Sequence, residues 1–178
     1  MSAATAQPAD TEVRLVHGAC RLPAPAATVW AHLADAHRLA ALNPDSLGVE
    51  GVDPLGGFQP GQRWTERTRS PMGVQHLYAH VEEVDAAAGR LRLRAEGPLG
   101  ARIETLLQVR DDAGGSTVTL EHRLLLPRGP LHVLTAALVS ARIEEGTAAA
   151  MRHLQRVAGG WVGAEAPAGA EAPVQPPA

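Results

Sequence analysis

Between Val49 and Leu126 the apolar residues of this chain recur at about every second position, broken at short intervals by turn-forming residues. "RLRLRAE" (90–96) shows the sidedness most plainly, with Leu91, Leu93 and Ala95 on one face and Arg90, Arg92 and Arg94 on the other. "VEGVDPL", "QRWTERTR", "VQHLYAHVEEV", "ARIETLLQV" and "TVTLEHRLLL" alternate or nearly so, which predicts about six consecutive strands after an earlier one at Val13–Leu22. The connections "SPMG", "DAAAG", "GPLG" and "DDAGG" are of hairpin size, so neighbouring strands should run antiparallel. Pro25 suits the first turn of a short helix carrying Val29, Trp30 and Leu33, and Asp35 caps a second that ends at Asn43-Pro44. After Pro127 and Pro130 the period lengthens to that of a helix, predicting one element from Leu131 to Val157, about 40 Å long, with Gly146 as a point for a kink. Positions 133, 136, 140, 143, 147, 150 and 154 share one of its faces.

The fold class is therefore α+β: a curved antiparallel sheet of about six to seven strands wrapped around a long C-terminal helix, with two short helices after the first strand. A curved sheet and a single helix bury each other's apolar faces without filling all the space between them, so an internal cavity is expected.

Composition narrows the picture. A length of 178 residues suits one domain over 11–158, with small, polar or Ala/Pro/Gly-rich ends at 1–10 and 159–178 expected to be flexible; Trp161 falls in the second of these. With 45% hydrophobic and 20% charged residues the chain reads as globular, and a formal charge of -3 argues against nucleic acid as a partner. All 16 basic residues are arginine, which removes Schiff-base lysine chemistry. Cys20 is the single cysteine and has no disulfide partner in the chain. The amino terminus lacks the plan of a secretory signal and the longest apolar stretch, "VLTAALV", is far short of the ~20 residues of a membrane span, so a cytoplasmic protein without an integral membrane segment is expected.

Polar residues on apolar faces are the candidates for chemistry. Val118, Leu120, Leu124 and Leu126 share a strand face with His122, whose imidazole needs a partner if buried: Glu66, Thr105, a water or a ligand. Burial also favours the neutral ring. A hairpin turning at Pro71-Met72 puts Trp64, Glu66 and Thr68 on the face of Leu77, Ala79 and Val81 and turns His76, Tyr78 and His80 outward; a register shifted by one residue reverses this. Ile103, Thr105 and Leu107 look inward from the next strand but one, and Ser140, Ile143 and Thr147 from the long helix, where the two hydroxyls can also bond back to their own turn. Two readings stand for His122, a structural histidine satisfied by a neighbour and a ligand contact. Glu66 divides between a solvated carboxylate and an acid-base partner of His122. Trp30 and Trp64 read as packing residues that also form cavity wall. No metal site is expected: His76 and His80 lie about 13 Å apart on a strand, and neither "HExxH" nor paired "CxxC" occurs. The glycines of "PLGGFQPG" lie between strands and form no phosphate cradle, so no cofactor is expected.

The order of elements, together with "LPAPAATVW" ending in Trp30, "VEEVDAAAGRLRLRAEGPLG" and "GGSTVTLEHRLLLPRGPL", resembles the START-like SRPBCC superfamily, the helix-grip fold of plant pathogenesis-related allergens and polyketide cyclase/dehydrase proteins, over residues 12 to 158. The resemblance implies a cavity for a hydrophobic ligand and, in some members, cyclisation, aromatisation or dehydration of a poly-ketone chain. Aromatase-type cyclases of this kind line their cavity with aromatic side chains, whereas aromatic residues make up 3% here.

Two functions follow. The first is binding of a polyketide-, quinone- or lipid-like molecule by a monomer or homodimer, with Trp30, Trp64, Thr68, Leu77, Ile103, Thr105, Leu107, Leu120, His122, Leu124, Ser140, Ile143 and Thr147 around it. The second is an enzyme of the cyclase/dehydrase kind in which His122 or Glu66 moves a proton. A regulatory or partner-binding role is a third. The segment "LHVLTAALVSA", apolar nearly all round, is read as covered by loops of its own domain, with a second subunit or membrane surface as the alternative.

Overall fold

The computed structural model describes residues 11–53, 56–71, 73–97, 100–127 and 132–162. Strand β1 (Thr11–Leu22) leads into helices α1 (Ala26–Leu33) and α2 (Ala36–Ala40). Strands β2 (Ser46–Glu50), β3 (Arg63–Ser70), β4 (Gly73–Asp85), β5 (Arg90–Glu96), β6 (Arg102–Asp112) and β7 (Gly115–Pro127) follow. The chain closes with α3 (His132–Val157) and a 3-10 turn (Ala158–Trp161). The seven strands form one sheet in the order β1-β7-β6-β5-β4-β3-β2, every neighbour antiparallel. This is the architecture the alternation predicts, with α3 lying against β1 and β7.

Local chemistry explains the boundaries. The first free N–H of α1, on Ala26, is met from a distance by the Asp111 carboxylate (2.8 Å). Asp35 caps α2 as expected, accepting from Arg38 N at 2.8 Å and pairing with the Arg38 guanidinium at 2.9 Å. β2 is shorter than "VEGVDPL" suggests: Gly51 takes a left-handed φ of 88° just past Glu50 and ends the strand, and Val52 packs against the core. In β4 the pairing shifts between Val81 and Glu83, so Val81 and Val84, three residues apart, both face inward opposite Leu93 and Leu91. α3 is continuous through Gly146.

The helix sits close to β1 because residue 18 is glycine: a Cβ there would stand 2.5 Å from Thr147 Cγ2. The buried side chains fall into two clusters. The larger joins Trp30, Leu33, Phe58, Trp64, Leu91, Leu107, Leu120, Met151 and Leu154 with their neighbours; the smaller joins Val16, Ala101, Ile103, Leu124, Leu126 and Ala136. Fully burying one such large side chain stabilises the fold by about 1.5–3 kcal/mol. No helix among the described residues is long and apolar enough to cross a membrane.

Trp161 corrects an expectation. It lies within the 3-10 turn, its ring stacked on His32 of α1 (centroids 4.3 Å apart, planes 12° apart) and packed against the larger cluster. Stacking removes two ring faces from water and packs the turn against the larger cluster; the ends expected to be flexible, 1–10 and 163–178, lie outside the described residues.

Candidate functional site

The strand pairings decide which side chains meet. Val16, His122, Thr105 and Leu93 lie in one row across β1, β7, β6 and β5, each directly opposite the next. Val16 belongs to the smaller cluster and Leu93 to the larger, so His122 and Thr105 sit at the seam between two apolar groups. The imidazole is half-buried on the inner face, between the buried Leu120 and Leu124 of its own strand.

Thr105 is its partner: Oγ1 stands 2.8 Å from His122 Nδ1. Among the described residues Nε2 makes no hydrogen bond to protein. The neutral ring carries one N–H, so Nε2 is a donor when Thr105 donates to Nδ1 and an acceptor when Thr105 accepts from it. Burial drives the pKa of His122 down from 6.5 to about 4, which keeps the ring neutral at ordinary pH.

Glu66 occupies a different place. It lies opposite Leu77, on the inner side of β3, and accepts from Asn43 Nδ2 at 3.1 Å. Burial raises its pKa, opposed by the hydrogen bonds from Asn43 and Ser46. In the sheet β4, β5 and β6 separate β3 from β7. At about 4.8 Å per strand β3 and β7 are about 19 Å apart measured along the sheet, and Leu77, opposite Glu66, lies four residues along β4 from Val81, which shares the row of His122. The two therefore have separate partners, and of the two readings of Glu66 the acid-base pair with His122 is not formed.

The remaining expected residues divide by surroundings. Trp30, Trp64, Leu107 and Leu120 are buried in the larger cluster, and Ile103 and Leu124 in the smaller, against which the half-buried Ile143 packs. Thr68 and Ser140 are buried, and Leu77 is half-buried. Thr147 is buried and donates to its own helix, to the Ile143 carbonyl at 2.6 Å. The β3–β4 register puts Trp64 opposite Ala79 and leaves Tyr78 60% exposed, so Tyr78, His76 and His80 lie on the outer face. The indole N–H of Trp64 is buried with no hydrogen-bond partner among the described residues.

Two charged residues escaped the sequence reading. Glu12 and Arg14 pair with Leu126 and Leu124, so both sit on the inner face; they form an ion pair, and Arg14 Nη1 donates to Ser140 Oγ at 3.4 Å. The available signal was the switch in "TEVRLVHGACRL" from apolar odd positions, 13 and 15, to apolar even positions, 16, 20 and 22. Arg142 also went unnoticed: it reaches from α3 to the Asp45 carboxylate (2.5 Å) and the Arg69 carbonyl (2.6 Å). Among the described residues no group of three or more His, Cys, Asp or Glu side chains is arranged to hold a metal ion.

Two hollows accompany these groups. One of about 260 Å³ is lined by Glu96, Gly97, Gly100, Ala101 and Arg102. The other, of about 290 Å³, lies between α2 and β2, lined by His37, Ala40, Ala41, Ser46, Leu47, Gly48 and Val49. None of the expected ligand-contacting residues, His122 included, lines either one, so neither hollow is the internal cavity expected between sheet and helix.

Comparison with solved structures finds the same fold in proteins of low identity. A Thermus thermophilus protein, TTHA0849, superposes with a TM-score of 0.67 at 18% identity, covering 83% of this chain and 98% of its own. The Zhui aromatase/cyclase from Streptomyces sp. R1128 gives 0.63 at 18% identity, with 82% and 96% covered. Ara h 8.0201 gives 0.58 at 16% identity, with 80% and 98% covered. No curated protein matches the sequence. The profile of the family described as polyketide cyclase/dehydrase and lipid transport matches residues 15–159, and the chain belongs to that family.

Proposed function

We propose that the protein binds an apolar small molecule, polyketide-, quinone- or lipid-like, on the inner face of its sheet, with His122 orienting it. The observation that carries this reading is the inward imidazole at the seam of two apolar clusters, tied to Thr105 through Nδ1 with Nε2 unpartnered among the described residues. The buried, unpartnered indole N–H of Trp64 supports it, since a ligand oxygen or a water would satisfy that donor. Apolar burial at roughly 25 cal/mol per Å² supplies most of the affinity, and one or two polar contacts supply orientation.

Magnitude favours binding over catalysis at His122. A base works best with a pKa near the operating pH, and a ring pushed down to about 4 is a weak one. The catalytic alternative, cyclisation or dehydration of a polyketide-type substrate, draws its support from Glu66, whose half-buried carboxyl is shifted toward neutrality.

Native mass spectrometry of the purified protein, joined to a thermal-shift series with a naphthoquinone, a long-chain ketone and a lysophospholipid, tests the reading. A ligand at about a hundred times its Kd stabilises by about 2.7 kcal/mol, a rise of several degrees for a domain of this size. No retained mass and no shift with any member would end it.

A further inference from the structure

α3 is fastened toward both ends of the sheet. On one side it lies against the edge strand β1, where Ala136 joins Val16, Leu124 and Leu126 in the smaller cluster and Val139 and Ile143 pack on it. On the other, Arg142 reaches the Asp45 carboxylate and the carbonyl of Arg69, which belongs to β3. Four strands stand between β1 and β3, a path of about 24 Å along the sheet. The sheet therefore curls until one side chain of the helix bridges its open side.

The far anchor is held independently of the helix. The Asp45 carbonyl accepts from Arg69 N at 2.8 Å, and Asp45 N donates to Asn43 Oδ1 at 3.1 Å. Asn43 Nδ2 donates in turn to Glu66 at 3.1 Å. Losing the Arg142 contact therefore frees the helix and leaves the loop on β3. The Arg142 and Asp45 side chains are 36% and 29% exposed, so water solvates both charges when the contact breaks.

Burial decides what the fastening controls. Leu124, Leu126 and Ala136 are at most 1% exposed, so the first half of α3 seals the apolar side chains beside His122. A molecule reaching them must displace that half. The second half is rooted, with Ala150, Met151 and Leu154 in the larger cluster. Gly146 stands between the two, inside the helix, where a Cβ would meet nothing within 4 Å. Packing gives no reason for glycine there, and its backbone freedom makes it the softest point of the rod. Resting on the reading of the inner face as the ligand site, we propose that the first half of α3 is a lid, hinged at Gly146 and strapped down by Arg142, whose opening sets the rate of ligand exchange. The strap touches neither His122 nor its neighbours, so releasing it speeds entry and exit alike and leaves Kd unchanged.

Two measurements on the full chain test this. Stopped-flow fluorescence with N-phenyl-1-naphthylamine, an uncharged apolar probe, reads exchange, and amide exchange over residues 136–145 without the probe reads opening of the lid. Arg142→Met is expected to raise both probe rate constants and the amide exchange about fivefold, and Asp45→Ala, which keeps the Arg69 carbonyl contact, by less. The double variant should go no further than Arg142→Met alone. Gly146→Ala should slow all three about threefold. Arg123→Gln, which breaks an ion pair with Glu104 on the outer face, should leave them unchanged. Arg142→Gln and Asp45→Asn replace either strap variant that fails to fold. Probe rates and amide exchange that stay put without Arg142, a Kd that rises while the on-rate holds, or a Gly146→Ala helix that opens as fast as before overturns the lid. If the probe does not bind the wild type, that counts against the binding function, and the amide exchange alone decides the lid.

Discussion

The depressed pKa of His122 makes a thermodynamic prediction. The unfolded chain takes up its histidine proton near 6.5, and the folded ring, penalised by burial, takes it up only near 4. Between those values the unfolded state holds more protons, so acid favours unfolding: the stability is present above pH 6.5 and is lost as the pH falls toward 4. At 1.36 kcal/mol per pH unit the loss attributable to this ring is about 2 kcal/mol by pH 5 and about 3 kcal/mol by pH 4. His122→Asn keeps a polar group opposite Thr105 and removes the titration. Urea denaturation of both proteins at about pH 7, 5 and 4 isolates the effect, because Glu66 and the other carboxyls titrate in both. The wild type should lose these amounts relative to the variant, and an NMR titration of the imidazole should show no protonation at about pH 5.5. Parallel losses in the two proteins, or a ring that titrates at about 6 or above, would refute the placement of His122 in a desolvated site.

Three further expectations can be checked by unfolding and spectroscopy. Gly18→Ala pushes a methyl toward Thr147 Cγ2, 2.5 Å from the new Cβ, and should destabilise by about 1–3 kcal/mol; adding Thr147→Ser deletes that methyl and should restore part of the loss in a thermal melt. Asp35→Ala removes the cap of α2 and should cost about 1 kcal/mol in denaturant titration. Trp161→Ala uncovers His32, whose pKa is lowered by burial and by Arg38; its titration should move back up toward the ordinary range, with about 1 kcal/mol of stability lost through the ring pair alone.

Much of this was legible in the sequence because alternation reports faces. β5 begins and ends where "RLRLRAE" does, and α3 starts within one residue of the expected Leu131. The outward turn of His76, Tyr78 and His80 followed from giving Leu77, Ala79 and Val81 a common side. Thr105 was among the anticipated partners of His122, and the register sets them directly opposite. Alternation carries no information about how many strands lie between two faces, which is why Glu66 and His122 could be imagined as a pair. Arg14 was missed because its strand follows the partner's pattern rather than its own: Leu124 and Leu126 are buried, and whatever β1 sets opposite them faces inward too. Trp161 was misjudged on composition, since a single aromatic in a Gly-rich stretch is enough to order a turn when a flat partner such as His32 is waiting.

The split interior leaves α3 unevenly anchored. Ala150, Met151, Leu154 and the following Ala158 are sunk in the larger cluster, whereas Leu134 and Leu138 in the first half remain 61% and 55% exposed. Amide protection along the helix should therefore rise from its beginning to its end, with the first turns opening in local fluctuations and the last turns only when the whole domain unfolds. The rod is rooted at its tail and comparatively free at its head, the half that carries Ser140 to Arg14.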